Sequence, residues 1–92
     1  MAFGRSDGPK QTKRERKQLS EHLMELEDLR DERLEDLGGL AYEMHRRGRF
    51  VTNLLAERAG EITEIQREAD LVHRGLAEHL TLDEIAALSK DS

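Results

Sequence analysis

Apolar residues recur every three to four positions along two long stretches of the chain. At about 100° per residue, each set falls on one helical face that is roughly 140° wide. This spacing predicts two amphipathic α-helices. The apolar positions of the first are Leu19, Leu23, Leu26, Leu34, Leu37, Leu40, Ala41 and Met44, and those of the second are Leu55, Ala59, Ile62, Ile65, Ala69, Val72, Leu76 and Leu80.

A basic break, RRGRF, separates the two stretches. Gly48 suits the left-handed residue just beyond a helix, and the arginines before it favour the carbonyl end of that helix. Thr52 or Asn53 can cap the start of the second helix. The pattern therefore predicts an antiparallel, coiled-coil-like helical hairpin over residues 13–80, with its turn near residues 48–52.

Both flanks of the predicted hairpin differ from it in composition. Residues 1–12 hold two glycines and the only proline, Pro9, among polar and basic residues, so we expect a disordered basic tail. At the other end, Thr81 and Glu84 have the spacing of a capping box. Residues 81–92 are therefore predicted to form a short C-terminal helix, to about Leu88, and the end of the chain.

The width of the apolar faces implies that each helix contacts more than one neighbour. Either the C-terminal helix folds across the open end of the hairpin, or two hairpins form a homodimeric four-helix bundle. We favour the dimer, because a helix of about eight residues covers only about two turns of a longer stem. The candidate interface residues are Leu29, Val72, Leu82, Ile85 and Leu88.

Polar features interrupt both arms of the predicted hairpin. Arg30 and Arg33 lie in the first apolar stripe, where they can pair across the hairpin with polar residues such as Gln66 and Asp70, or extend to water at its edge. Four glycines are predicted on the outer or flanking surface, either as tolerated helix residues or as a bend. They are Gly38, Gly39, Gly60 and Gly75.

Composition excludes several classes of protein. The chain has 36% hydrophobic, 3% aromatic and 38% charged residues, which suits helices that bury one stripe and expose the rest. It has no cysteine, and this excludes disulfides, thiolate catalysis and cysteine-bound zinc. Neither a secretory signal nor a transmembrane segment is evident, so a cytoplasmic location is expected.

No residue set has the spacing of a catalytic, cofactor or metal site. The four histidines never occur three or four residues apart, which is the spacing that places two ligands on one helical face. Nothing marks a pocket that could shift the pKa of the many carboxylates. We therefore expect a protein that is not an enzyme and binds no cofactor.

Basic residues form the main alternative lead. Residues 1–17 carry a net charge of about +4, and the rest of the chain about −9. Such segments can contact nucleic-acid phosphates, an acidic helical partner or an anionic membrane surface. Phe50, beside the hairpin turn, is expected to fill the loop end of the core. The candidate anion-contacting residues are Lys13, Arg14, Arg16, Lys17, Arg46, Arg47 and Arg49.

Residues 34–62 read LEDLGGLAYEMHRRGRFVTNLLAERAGEI and contain the pattern L-G-x-L, E-M-x-R-R, F and L-L-x-x-R-A-x-E. In this pattern the chain resembles a group of uncharacterised bacterial coiled-coil proteins. The resemblance covers about a third of the chain and implies a recurrent hairpin module. The functional prediction is a non-enzymatic interaction or assembly module that binds a protein partner through helix faces. The alternative is a small nucleic-acid-associated protein that uses the basic tail and the arginine-rich tip.

Overall fold

The computed structural model describes residues 11–90, which form three helices: α1 (Lys13–Arg47), α2 (Thr52–Ala77) and α3 (Leu82–Lys90). α1 and α2 pack along each other as a hairpin, and the short α3 packs on α2. The fold is all-α, as predicted, with a short C-terminal helix. The disorder expected of residues 1–10 lies outside the described residues.

The two ends of α1 are closed by short-range hydrogen bonds. The Thr12 side chain accepts from the Glu15 amide, and the Glu15 carboxylate accepts from the Thr12 amide, so a capping box starts the helix. Thr12 is thus ordered rather than part of a disordered tail. At the far end Gly48 adopts a left-handed conformation with φ of 66°, as predicted, because a glycine lacks the Cβ that penalises it.

α2 differs at both ends from the sequence prediction. Thr52 is its first helical residue, and the position before it is Val51, which provides no side-chain cap. The expected cap by Thr52 or Asn53 is therefore wrong, and the first backbone hydrogen bonds of the helix run from the Leu54 and Leu55 amides to the Val51 carbonyl. The helix ends at Ala77, three residues before the end of the predicted hairpin at residue 80, and His79 takes a positive φ of 55° in the turn to α3.

α3 begins with the capping box that the sequence predicts. The Thr81 amide donates to Glu84 Oε1 over 2.8 Å, and the Glu84 amide donates to Thr81 Oγ1 over 3.2 Å. The helix places Ile85 against the hairpin core and directly over Gly75. Gly75 is buried, so its predicted place on the outer surface is wrong. The other three helical glycines face open space, and α1 continues without a break through Gly38 and Gly39.

The main core lies where all three helices meet. Its buried members are Leu19, Leu26, Ala69 and Val72, and partly buried side chains from each helix pack against them: Leu23, Ile65, Leu76 and Ile85. We call this part of the molecule, residues 11–30 and 65–90, the open-end half. Residues 31–64, which include the turn, form the tip half. There only α1 and α2 are present.

Candidate functional site

The tip half leaves much of its apolar stripe in contact with solvent. Only Met44 and Ile62 are buried there, and Leu34 is 48% exposed although it belongs to the predicted stripe. Five further apolar residues are half-buried: Leu37, Leu40, Ala41, Leu54 and Leu55. α3 packs on α2 in the open-end half, so it does not cover them. We call Leu34 and these five residues the tip-half apolar surface.

The predicted interface residues lie in different environments. Val72 is 4% exposed and belongs to the core of its own chain, so its predicted role as a dimer contact is wrong. Ile85 is half-buried and packs against that same core, which leaves little of it for a partner. Leu29 and Leu88 are half-buried, whereas Leu82 is 48% exposed. Of the five predicted residues, only Leu82 is mainly at the surface.

The seven predicted anion-contacting residues fall into two groups at opposite ends of the hairpin. Lys13, Arg14, Arg16 and Lys17 occupy the first turns of α1, whereas Arg46, Arg47 and Arg49 lie at the turn. α1 has 35 residues, so its ends are separated by roughly 52 Å at about 1.5 Å per residue. The two groups therefore do not form one surface.

Arg16 has a structural role that the sequence did not reveal. Its guanidinium donates to the Leu76 carbonyl over 3.1 Å and to Gln11 Oε1 over 2.9 Å, and lies 3.1 Å from His79 Nδ1. Gln11 in turn donates to the carbonyls of Gly75 and Leu80. The two side chains cap the C-terminus of α2, where carbonyl groups lack helical partners. In the sequence, the only signal for this cap is the position of Arg16, which lies level with the C-terminus of α2 once the hairpin is folded.

The hairpin tip combines exposed apolar and basic side chains. Phe50 is 58% exposed, so the expectation that it fills the loop end of the core is wrong. Met44 is buried there instead, and its Sδ accepts from the Val51 amide over 3.5 Å. The Phe50 ring lies on the surface with its centroid 6.4 Å from the His45 ring, while Val51 is 48% exposed. A shallow groove beside Val51 is lined by Leu40, Glu43, Met44, Arg47 and Arg49.

Polar contacts link the two arms at the middle of the hairpin. Arg30 donates to Gln66 Oε1 over 2.9 Å, and Gln66 donates to Asp70 Oδ1 over 2.7 Å. The predicted cross-helix contact of Arg30 therefore forms with the amide, while its ion pair is with its neighbour Asp31 at 3.0 Å. Such a polar layer in an apolar seam favours one register of the two helices over others.

His22 makes a further contact between α1 and α2, because its Nε2 lies 2.7 Å from Glu68 Oε2. Among residues 11–90, no group of three or more histidine or acidic side chains is arranged to hold a metal ion. Within the same range, no helix is both long and apolar enough to span a bilayer.

Comparisons with protein families, with characterised proteins and with solved structures found no match. The resemblance to bacterial coiled-coil proteins stays a prediction.

Proposed function

We propose that this protein is a non-enzymatic assembly module that associates through helix faces, with a second copy of the chain as its first partner. The observation that supports the proposal is the tip-half apolar surface. An exposed leucine in the middle of a hydrophobic stripe is unfavourable in water, and contact with a second hairpin would remove it from solvent. Two hairpins packed in this way form a four-helix bundle.

The surroundings of this surface suit a pairing of two identical chains. Beside Leu37 and Leu40 lies a groove whose polar lining contains both signs of charge, from Glu32, Arg33, Asp36, Arg58 and Glu61. In a two-fold symmetric dimer each patch meets a copy of itself, so a patch with both signs can place acids opposite arginines. Charged residues that flank an apolar seam determine partner choice and orientation in coiled coils. A protein partner with a similar amphipathic helix would use the same face.

Sedimentation of the Leu34→Glu and Met24→Glu variants tests the proposal. Both residues are exposed on α1: Leu34 belongs to the tip-half apolar surface, and Met24, at 63% exposure, lies in the open-end half. We expect the native chain to be a dimer at micromolar concentration and L34E to weaken dimerisation by about ten- to a hundredfold, because in each of the two chains the half of Leu34 that is exposed in the monomer is no longer buried. M24E is the matched control and should dimerise like the native chain. A fully helical native monomer under these conditions, or equal dimerisation of both variants, contradicts the proposal.

A further inference from the structure

The tip of the hairpin has a surface that is distinct from the tip-half apolar surface. Phe50 and Val51 project at the turn between α1 and α2, and both are about half exposed. Arg46, Arg47 and Arg49 are exposed in the same segment, and Arg47 and Arg49 line the groove beside Val51. The tip therefore combines exposed apolar and cationic side chains at one end of an elongated molecule, whose principal extents are 70 × 24 × 13 Å.

Local structure holds these side chains outward. The left-handed Gly48 ends α1, and the amide of Arg49 donates back to the Met44 carbonyl over 3.0 Å, so the turn is tight. Met44 already occupies the loop end of the core. The Phe50 ring consequently has no place inside and lies against His45 at the surface. Its exposure follows from the packing of the turn.

Charge is distributed unevenly between the tip and the body. Residues 40–56 hold three arginines against one glutamate, a net charge of +2. By contrast, residues 18–39 hold eight acids against two arginines, a net of −6, and residues 57–92 hold nine acids against four bases, a net of −5. Of the three tip arginines, Arg46 is paired with Glu43 at 3.0 Å. Arg47 and Arg49 line the groove next to Val51.

We propose that the tip is a membrane-contact site, in which Phe50 and Val51 enter the headgroup region of an anionic bilayer while Arg47 and Arg49 bind lipid phosphates. Segments that lie in the membrane interface combine apolar side chains such as Phe and Leu with Lys and Arg. Each basic residue near an anionic surface contributes roughly a fivefold gain in affinity. The contact is peripheral and reversible, and it goes beyond the assembly function proposed above.

The acidic body does not prevent this contact, because the molecule is long. On α1, the nearest acid beyond Glu43 is Asp36, eleven residues before Arg47, which is roughly 16 Å along the helix. On α2, the first acid is Glu57, which is followed directly by the base Arg58. The Debye length in physiological salt is about 8 Å. With the hairpin standing on its tip, most of its acids are screened from the lipid headgroups.

Two other occupants fit the tip less well. A second tip would bring two sets of arginines together, whereas a tip on the acidic flank of another copy is a head-to-tail contact, which produces rings or filaments instead of a symmetric pair. Single-stranded nucleic acid could stack a base on Phe50. Val51, however, offers no ring for stacking, and an exposed pair of apolar side chains gains more from a hydrocarbon boundary.

The test uses the full chain with a single fluorescent probe, since the native sequence has no tryptophan. The F50W variant is mixed with phosphatidylcholine vesicles that contain about one third phosphatidylglycerol, and with vesicles of phosphatidylcholine alone. We expect a blue shift of the indole emission and quenching by brominated lipid on the anionic vesicles only. The M24W variant places the same probe at an exposed position in the open-end half and should show neither effect.

Paired charge variants then locate the contact. R47Q/R49Q in the F50W background should weaken binding to anionic vesicles by at least about tenfold. K13Q/K17Q removes the same charge at the opposite end of α1 and should leave binding unchanged. Circular dichroism confirms that each variant keeps its helices. If the F50W variant does not fold, a fluorophore attached to the cysteine of an F50C variant provides the same measurement, because the native chain has no cysteine.

Several outcomes overturn the proposal. They are the absence of any shift with anionic vesicles, an equal loss of binding in K13Q/K17Q, a shift that grows with protein concentration without lipid, and tighter binding to a single-stranded oligonucleotide than to vesicles. The double variant F50W/L34E distinguishes the membrane-contact proposal from the dimer proposal. The monomer retains the tip, so the blue shift on vesicles should persist whether or not the native chain dimerises.

Discussion

The open-end half and the tip half are built from the same two helices, yet they bury their side chains to different degrees. In the open-end half α3 adds a third helix, and Leu19, Leu26, Ala69 and Val72 are at most 7% exposed. In the tip half α1 and α2 have only each other. Leu34 remains half exposed there, although it continues the same apolar stripe.

The difference shows how one short helix divides the hairpin into a core and a surface. A stripe roughly 140° wide needs two neighbours to be covered, and α3, with nine residues, reaches only part of the stem. Stability should therefore be concentrated where Ile85 closes the core over Gly75. In the tip half the apolar stripe itself stays partly exposed and available for contacts with other molecules.

The largest effect should come from replacing one leucine in each half with alanine. Leu26→Ala removes a buried side chain from the main core and should cost about 2–5 kcal/mol of unfolding free energy. Leu37→Ala, in the tip half, should cost roughly half as much, because part of this side chain already contacts water. Urea unfolding at low protein concentration measures both losses.

Protein concentration sharpens this comparison. If a second copy covers the tip-half apolar surface, the unfolding free energy lost in Leu37→Ala should increase with protein concentration, because this variant also weakens the dimer. The loss in Leu26→Ala should stay nearly constant, because Leu26 lies outside the dimer contact. Equal costs for the two variants in the monomer would mean that the halves are equally well packed.

A smaller effect is expected from Gly75→Ala in the open-end half. A Cβ on residue 75 would overlap Ile85 Cδ1 and lie 2.8 Å from Ile85 Cγ1, so the Ile85 side chain or the whole of α3 has to shift. Overpacking of this kind costs about 1–3 kcal/mol, partly offset by about 1 kcal/mol of helix propensity. We expect faster amide exchange in α3 and a small net loss of stability. The double variant Gly75→Ala/Ile85→Ala is the control, because it removes the clash. If Gly75→Ala alone increased stability and left amide exchange in α3 unchanged, the expected shift would be contradicted.

The smallest effect has the opposite sign and concerns the glycines of the tip half. Gly39 and Gly60 are helical and face open space, so replacing either with alanine should stabilise the fold by about 0.5–1 kcal/mol. Thermal unfolding of the single and double variants measures this gain. Gly48→Ala is the control and should lose stability, because residue 48 has a φ of 66°. If Gly39→Ala instead weakened dimerisation, a second backbone would have to approach this helix face closely.

The sequence predicted the elements of the fold well because their signals are local. The spacing of apolar residues depends only on the helical period, Gly48 ends α1 through its own backbone freedom, and Thr81 and Glu84 cap α3 within one turn. The predicted interface was less accurate. Val72 is a predicted interface residue, yet it is buried in its own chain, because its burial depends on how α2 is rotated toward α1.

What the amino-acid sequence by itself determined is therefore the helical hairpin, its turn, and the division of charge between a basic tip and an acidic body. Only the tertiary structure decided that α3 packs over Gly75, that Arg16 and Gln11 cap the end of α2, and that Met44 rather than Phe50 fills the loop end. These contacts join residues on different helices. They depend on the relative rotation and offset of the helices, and helical periodicity within a single stretch does not specify either.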